Sequence, residues 1–318
     1  MIRAIAITGP TASGKTGLSL ALAERLGAEI ISADSMQLYR GMDIGTAKAT
    51  EKERERVPHH LIDFLSPNES YSTERYRSDA LRAAEDIASR GRIPLFVGGT
   101  GLYIDTLLRA PQTEIPESSA EYRDKILAGL KTDEDVHALW ERLREIDPAS
   151  AEKIHENNVR RVIRALEIYD TTGVTKTRLD ELSREKARDV DILVLTLDFH
   201  SRDTLYSRID ARVDEMMEEG LLAEVRALYE SGALDGKNTA SQAIGYKELL
   251  SYLRGEETLA EAVETLKQST RRYAKRQLTW FRHVDAKRIM MDDENGNLKD
   301  LGDILAEAEE IINTEFKE

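Results

Sequence analysis

The sequence predicts an α/β protein in which helices flank a parallel sheet and an all-helical domain is inserted into that core. Apolar runs alternate with helix-periodic segments along the first part of the chain, which is the pattern of a parallel sheet covered by helices. The alternation lapses between Ile115 and Arg188 and resumes at Asp191. With 318 residues, the chain is long enough for two domains, or for one large α/β domain that carries an insertion.

The first half of the sheet is predicted from short apolar runs, each followed by a helical segment. The first run ends in a glycine-rich loop, and the helix after it continues to about Leu26. A second helix is predicted from Thr73 to Arg90, where Gly91 stops it, and another begins after Gly99. The predicted strands are Ile2–Thr8, Glu29–Ala33 and Ile93–Gly99.

The segment that follows is highly charged, helix-periodic and without a convincing strand. A strand over Asp191–Phe199 then restores the α/β pattern. We therefore predict a first core part at 1–114, a helical insertion at 115–190 and a second core part at 191–318. The remaining predicted elements are helices over Arg202–Ser231, Ser241–Arg254 and Leu259–Arg282, a last strand in the sequence KRIMMDD, and a closing helix over Leu298–Phe316.

The composition describes a globular protein with an ample core, since 41% of residues are hydrophobic and 33% are charged. The absence of cysteine excludes disulfides, thiolate metal sites and cysteine nucleophiles. The six histidines form no metal-ligand spacing, and we expect a surface or loop role for the adjacent pair His59 and His60. No apolar run approaches the ~20 residues that cross a bilayer, and no signal peptide is apparent. We expect a cytoplasmic protein with no membrane partner.

Charge is unevenly spread along the chain. The net charge of −14 argues against nucleic acid as a partner, because a polyanion repels an acidic surface. Acidic residues concentrate at Asp214–Glu224, at Gly255–Glu264 and after Met291, whereas Lys267–His283 contains none. Any contact with RNA is to be sought in that basic segment.

The loop from Gly9 to Thr16 reads GPTASGKT and matches the phosphate-binding pattern G-x-x-x-x-G-K-[ST] in full. Its glycines let backbone N–H groups turn toward an anion, Lys15 adds a point charge, and Thr16 offers a hydroxyl to Mg²⁺. The strand before the loop and the helix after it supply the required context. The pattern alone leaves open whether the phosphates belong to a nucleotide or to another diphosphate ester.

Asp34 ends the second predicted strand, at the carboxyl edge of the sheet where open α/β folds bind ligands. One helix and one strand separate it from Lys15, so the topology returns it beside the phosphate loop. From its position it is a magnesium ligand, a general base or the cap of the following turn. Thr100, after Gly98 and Gly99, has a similar ambiguity, since threonine often caps a helix N-terminus.

Five blocks of sequence together resemble the bacterial tRNA dimethylallyltransferase family, whose members prenylate the adenosine just 3′ of the anticodon. The resemblance spans essentially the whole chain and is more specific than a phosphate loop alone. The blocks, in chain order, are GPTASGKT, ISADSMQLYRGMDIGTAK, PHHLIDF, VGGTGLY and AKRQLTWFR.

This resemblance implies that the phosphate loop grips dimethylallyl diphosphate, which the exocyclic amine of adenine attacks. Because that amine is a poor nucleophile, the reaction needs stabilisation of the departing diphosphate and a base for the amine proton. The family pattern assigns Asp34 as the base, Thr100 as a neighbour of the reacting atoms and Arg208 as a further cation. Without the resemblance, Arg208 would be a solvated or salt-bridged helical arginine. The implied donor and Mg²⁺ site comprises Gly9, Thr11, Ala12, Ser13, Gly14, Lys15 and Thr16, with Thr16 as the metal ligand.

The resemblance also implies three sets of tRNA-binding residues. Ser35, Met36 and Gln37 follow the expected base, where they would receive an everted adenine. Residues alone favour a solvated face for the arginines of the insertion, and a buried role for Tyr273, Trp280 and Phe281. With the resemblance, a monomer that binds the anticodon stem-loop is expected. The implied contacts of the insertion are Arg123, Arg160, Arg161 and Arg164, and those of the basic segment are Arg271, Arg272 and Lys275.

Without the family resemblance, the sequence motifs leave three alternative functions open. A nucleoside or metabolite kinase has a similar phosphate loop, Mg²⁺ and carboxylate base. An isopentenyltransferase that acts on free adenine nucleotides would not require the helical insertion or the basic segment. A non-catalytic nucleotide switch needs a γ-phosphate sensor, and only Asp34 has the position for one.

Overall fold

The computed structural model describes residues 2–109, 119–185, 189–236 and 238–316. Contacts divide the chain into two compact units, a core unit of Met1–Leu108 with Val190–Glu318 and a helical unit of Arg109–Asp189. The expected first domain boundary, between residues 114 and 115, lies outside the described residues.

The core unit is a six-stranded parallel sheet flanked by helices, which confirms the predicted fold class. Its strands are β1 (Ile2–Thr8), β2 (Ala28–Ser32), β3 (His59–His60), β4 (Ile93–Val97), β5 (Val190–Asp198) and β6 (Lys287–Met290). The strand order is β3-β2-β4-β1-β5-β6, so the first strand in the sequence lies inside the sheet. Its helices are α1 (Lys15–Leu26), α2 (Glu51–Arg56), α3 (Thr73–Ser89), α4 (Gly101–Leu108), α10 (Arg202–Glu219), α11 (Leu221–Glu230), α12 (Tyr246–Leu253), α13 (Leu259–Phe281) and α14 (Leu301–Glu315).

The central strands are apolar on both faces because helices cover both sides of the sheet. Along β1, Ile5 and Ile7 pack into one hydrophobic cluster, while Ala4 and Ala6 pack into another. This alternation places the two clusters on opposite faces. The sheet is therefore a rigid platform whose carboxyl edge carries the loops.

Three local predictions differ from the structure. The helix expected over Arg202–Ser231 is broken at Gly220, whose φ of 105° ends α10 and lets α11 begin. The pair expected in a surface or loop role forms the short edge strand β3, where the His60 Nε2 lies 2.7 Å from Glu29 Oε2. The helix expected from Ser241 begins only at Tyr246, after a 3₁₀ turn.

All the elements described in the helical unit are α-helices. Its core is formed by Leu143, Ala151, Ile154, Val162 and Leu166, with Ala165 beside them. Asp147 connects two of the helices, since its carboxylate accepts hydrogen bonds from Ser150 N and Thr177 N. The helices are α5 (Ala120–Gly129), α6 (Asp133–Ile146), α7 (Pro148–Lys153), α8 (Val159–Thr172) and α9 (Lys176–Glu185).

Candidate active site at the sheet edge

Three strand ends converge at the carboxyl edge of the sheet. The loop after β2 contacts the end of β4, where Ala33 N donates to Val97 O at 2.8 Å. The loop after β4 contacts β1, where Gly98 N donates to Ile7 O at 3.2 Å. A Cβ on Gly98 would lie 2.2 Å from the Ala33 backbone, so only glycine permits this approach. Open α/β folds bind ligands at such an edge.

The phosphate loop connects β1 to α1 and contributes Thr11 to Thr16 to the lining of a cavity. Gly9 and Gly14 have φ of 142° and 91°, and a Cβ on Gly9 would lie 2.8 Å from Leu197 O. Lys15 Nζ donates to Gly9 O at 3.0 Å and to Pro10 O at 2.7 Å, across the loop. Burial lowers the pKa of the Lys15 ammonium to about 8, although the charge of Asp34 opposes the shift. Ser13 Oγ is buried without a hydrogen-bond partner among the described residues.

Asp34 lies in the loop directly after β2 and lines the same cavity as Lys15. One of its carboxylate oxygens accepts a hydrogen bond from Met36 N at 2.9 Å, so it also caps the turn that follows. Burial raises the pKa of the Asp34 carboxyl above its usual value, although Met36 N–H and the Lys15 charge oppose the shift. A carboxylate with a raised pKa is a stronger base than a free one.

The Thr100 hydroxyl is directed to the loop after β2 rather than to the start of α4. Its Oγ1 accepts from Ser35 N at 3.0 Å and donates to Ser35 Oγ at 3.2 Å. Gln37 is also engaged within its own loop, since its Nε2 donates to Thr46 O at 3.2 Å and to Ala47 O at 3.3 Å. A base edge that bonds to Gln37 would therefore have to replace these contacts.

Two arginines one helical turn apart on α10 lie beside the phosphate loop. Arg208 Nε donates to Ala12 O at 2.9 Å. Arg212 lines the cavity, and its Nε is buried with no hydrogen-bond partner in the described part of the chain. The positive charge of Arg212 contributes to the low pKa of Lys15, which indicates that the two are close. Sequence reasoning missed Arg212, although its spacing of four from Arg208 on one helix face was a usable signal.

Helix α13 supplies a second wall of the cavity. Gln277 is 5% exposed and connects two loops, since its Oε1 accepts from Thr11 N at 2.8 Å and its Nε2 donates to Gly99 O at 2.9 Å. Tyr273 lies near Thr100 and Asp34, and burial, followed by the charge of Asp34, raises the pKa of its phenol to about 12. Sequence reasoning missed Gln277. The signal was a polar residue on the apolar face of α13 between Ala274 and Phe281.

Helices from the second part of the core complete the cavity, which has a volume of about 480 Å³. Its floor is polar at the phosphate loop and at Asp34, and four cationic side chains reach it: Lys15, Arg212, Lys247 and Arg276. Its apolar wall comes from α10, α11 and α13. The apolar residues are Ile209, Val213, Met216, Leu221 and Leu266.

The loop between Asp34 and α2 is held in place by two charged side chains that sequence reasoning did not identify. Glu224 accepts hydrogen bonds from Asp43 N and Ile44 N, at 2.9 and 2.8 Å. The Lys48 side chain is 2% exposed, and its Nζ lies 2.6 Å from Asp43 Oδ1 and 2.8 Å from Asp63 Oδ1. These contacts rigidify the segment that carries Asp34 to Gln37.

The residues of α13 that we expected to bind tRNA differ in their surroundings. Arg271 is 25% exposed and forms ion pairs with Asp210 and Glu264, at 2.6 and 3.1 Å. Arg272 and Lys275 are exposed. The charge of Arg271 is thus largely neutralised within the protein, whereas the other two face solvent.

The expected tRNA contacts of the helical unit differ in the same way. Arg160 and Arg161 are exposed on α8, whose opposite face is buried at Val162 and Ile163. Arg164 lies 2.7 Å from the buried Glu167. Arg123 is half-buried on α5.

No helix among the described residues is long and apolar enough to span a bilayer. The same residues contain no group of three or more histidine, aspartate or glutamate side chains with the geometry of a metal site.

Comparison with known proteins decides the family. The profile of the family described as "IPP transferase" matches residues 37–284, and that of "Isopentenyl transferase" matches residues 2–63. The chain belongs to the IPP transferase family. It is 50% identical over 282 residues to a tRNA dimethylallyltransferase of Anoxybacillus flavithermus, with 88% of each chain covered. It is 51% identical over 280 residues to the tRNA dimethylallyltransferase of Bacillus subtilis, covering 88% of this chain and 87% of that one.

Solved structures of IPP transferase relatives agree with this assignment. A tRNA isopentenylpyrophosphate transferase of Staphylococcus epidermidis is 39% identical, with a TM-score of 0.71 over 99% of this chain and 100% of that one. A eukaryotic dimethylallyltransferase acting on tRNA is 33% identical, with a TM-score of 0.82 over 99% of this chain and 79% of that one. The family resemblance noted in the sequence is thereby confirmed.

Proposed function

We propose that this protein transfers a dimethylallyl group from dimethylallyl diphosphate to the exocyclic amine of the adenosine 3′ of the anticodon in tRNA. The observation that carries the proposal is a cavity lined by both the phosphate loop and a half-buried carboxylate, Asp34. A phosphate cradle suits the leaving group, and the carboxylate suits the proton of the attacking amine.

The diphosphate would lie in the phosphate loop. Loop N–H groups, Lys15 and the two α10 arginines supply positive charge where negative charge develops as the C–O bond breaks. Arg208 already donates a hydrogen bond to the loop, and Arg212 lines the cavity with an Nε that has no hydrogen-bond partner in the described part of the chain. The hydroxyl of Ser13 is a further donor that has no partner among the described residues. The remaining proposed loop contacts are Gly9, Thr11, Ala12, Gly14 and Thr16.

The donor set fits Mg²⁺ only as an ion shared with the substrate. Thr16 offers one hydroxyl, and the described residues hold no cluster of acidic ligands. Mg²⁺ commonly binds proteins through one or two side chains while substrate phosphates and waters complete its shell. We propose that Thr16 holds the ion, which would supply charge neutralisation to the diphosphate.

The prenyl chain would lie against the apolar wall of the cavity. Ile209, Val213 and Met216 project from α10 immediately beside the two arginines. An allylic C5 group next to a diphosphate thus meets apolar side chains next to cations. Such walls also exclude water, which would otherwise compete with the amine for the allylic carbon.

Asp34 would act as the general base. The amine nitrogen attacks C1 of the allylic group, the bond from C1 to the diphosphate oxygen breaks, and one amine proton passes to Asp34. Its raised pKa brings the carboxylate nearer to the operating pH, which favours proton transfer. Thr100 would orient the Asp34 loop and the acceptor through its bonds to Ser35.

The acceptor would be an anticodon stem-loop bound by a monomer in the cytoplasm. An adenine everted from the loop would meet Ser35, Met36 and Gln37 beside Asp34. Cations on α13, α8 and α5 would contact the RNA backbone. The proposed backbone contacts are Arg123, Arg160, Arg161, Arg164, Arg271, Arg272 and Lys275.

The test is turnover with defined substrates. Purified protein, radiolabelled dimethylallyl diphosphate and unmodified tRNA are expected to give labelled tRNA and diphosphate without ATP. Free AMP and ADP serve as competing acceptors, and an RNA with guanosine at the target position is the negative control. Consumption of ATP without prenyl transfer would favour a kinase, and preferential labelling of AMP would favour a nucleotide prenyltransferase.

A further inference from the structure

Trp280 is an exposed aromatic side chain beside the candidate site. It is 38% exposed near the end of α13, and Leu102 on α4 is 48% exposed. A Cβ on Gly101 would lie 2.5 Å from the indole Cδ1, so the ring lies against the bare backbone at the start of α4. This contact fixes one part of the ring and leaves the rest open to solvent.

The ring continues the wall of the cavity outward. Tyr273, Gln277 and Trp280 recur at spacings of four and three, which places them on one face of α13. The first two line the cavity, and Trp280 is the next residue along that face. Thr100, which bonds the Asp34 loop, directly precedes Gly101 in the chain. The indole therefore lies on the cavity-lining face of α13, beyond the residues that line the cavity.

The surroundings of Trp280 favour an anionic partner. Lys267–His283 contains no acidic residue, and the cations Arg272, Lys275, Arg276 and Arg282 are exposed. An exposed aromatic ring among cations is the pattern by which proteins bind single-stranded nucleic acid, with the base on the ring and the phosphates on the cations.

We propose that Trp280 stacks on the base that neighbours the target adenosine, and that Leu102 borders this platform. The inference rests on the proposed function and deepens it. Everting the adenine breaks its stacking with both neighbours and exposes a base face to water. A flat ring one step outside the cavity would cover that face and thereby stabilise the everted state.

Tryptophan fluorescence can test the contact directly, because the chain contains only two tryptophans, Trp140 and Trp280. The Trp140→Phe variant reports on Trp280 alone. Its emission is expected to be strongly quenched by an unmodified anticodon stem-loop. The quenching is expected to disappear when an abasic nucleotide replaces the neighbour on one side of the target. The Trp280→Phe variant, which retains Trp140, is the matched control.

Affinity measurements sharpen the test. Trp280→Ala is expected to weaken stem-loop binding by roughly 10-fold or more, whereas Trp280→Phe keeps a stacking ring and restores most of the affinity. Binding of inorganic pyrophosphate to both variants is expected to match the parent, which shows that the cavity is folded.

Two results would contradict stacking by Trp280. One is emission that stays constant at saturating RNA, and the other is quenching that persists when either neighbour of the target is replaced by an abasic nucleotide. A Trp280-dependent dimer seen by sedimentation would assign the patch to a second copy of the chain and contradict the stacking as well. If prenyl transfer to tRNA persists in these cases, only the platform fails. If the protein neither binds the stem-loop nor prenylates it, the proposed function fails too.

Discussion

The phosphate loop and helix α13 are two walls of one cavity that are built in different ways. The loop consists of consecutive residues, and its contacts, such as Lys15 Nζ to Pro10 O, span only a few positions. The α13 wall contacts the loop through residues that are far apart in the sequence, since the hydrogen-bonded Thr11 and Gln277 are 266 positions apart. The conformation of the loop therefore depends largely on short-range contacts, whereas the α13 wall depends on assembly of the whole core unit.

Lys15→Ala should cause the largest loss of activity of any single change in the cradle. Removing a charge that faces the leaving group is expected to lower kcat/KM for prenyl transfer by roughly 100- to 1,000-fold. Stem-loop affinity should stay within a few-fold, because we propose that the stem-loop binds to cations outside the phosphate loop. Steady-state kinetics and filter binding check both, with the exposed Lys52→Ala as control. A kcat/KM within threefold of that of the parent would show that Lys15 does not stabilise the leaving group.

Arg212→Ala tests whether α10 belongs functionally to the cradle. Because Arg212 lines the cavity and its Nε has no hydrogen-bond partner among the described residues, we expect pyrophosphate binding to weaken by roughly 10- to 100-fold. Titration calorimetry with inorganic pyrophosphate measures this, and the exposed Arg226→Ala on α11 is the matched control. Unchanged pyrophosphate affinity together with weakened stem-loop binding would indicate that Arg212 contacts the RNA and not the diphosphate.

The pH profile of kcat/KM should report the ionisation of two groups, the proposed base Asp34 and the phosphate-loop cation Lys15. The rate rises with pH as Asp34 loses its proton, at a higher pH than for a free carboxyl because its pKa is raised. It falls above about pH 8, where the Lys15 ammonium loses its charge. Stopped assays across pH 4–10 measure both limbs. Lys15→Arg should move the alkaline limb upward, since a guanidinium stays charged; a limb that does not move has another origin.

The salt dependence of stem-loop binding should distinguish the exposed Lys275 from the ion-paired Arg271 on α13. This is the smallest of the expected effects. Lys275→Gln is expected to reduce the slope of log affinity against log salt by about one. Arg271→Gln should change it less, because Asp210 and Glu264 already neutralise that guanidinium. Filter binding of the stem-loop between 50 and 300 mM KCl, on the order of the range where counterion release is measurable, compares the two. Equal slopes would show that the internal ion pairs open on RNA binding.

The parts predictable from the sequence are those with a short-range physical cause. Alternating apolar runs predicted the parallel sheet, and the spacing of Gly9, Gly14 and Lys15 predicted the phosphate loop in its strand-to-helix context. Asp34 was predicted beside that loop because the carboxyl ends of parallel strands share an edge. Each of these inferences needs only local pattern and topology.

The rest required knowledge of which distant helices pack together. Gln277 connects two loops only because α13 lies over the loops after β1 and β4. Arg212 is near Lys15 only because α10 packs beside the phosphate loop. The short strand β3 depends likewise on tertiary contacts that a local pattern does not encode. The break of α10 had a local signal in Gly220, because glycine commonly ends a helix in the left-handed conformation.

The proposed mechanism requires that one wall holds the leaving group while Asp34 removes the amine proton. Single-turnover transfer by Asp34→Asn, with both substrates saturating, probes this division of roles without interference from product release. We predict a rate lower by roughly 100- to 10,000-fold, with pyrophosphate and stem-loop affinities within a few-fold of the parent. A single-turnover rate equal to that of the parent, or a loss explained entirely by weaker substrate binding, would contradict the mechanism.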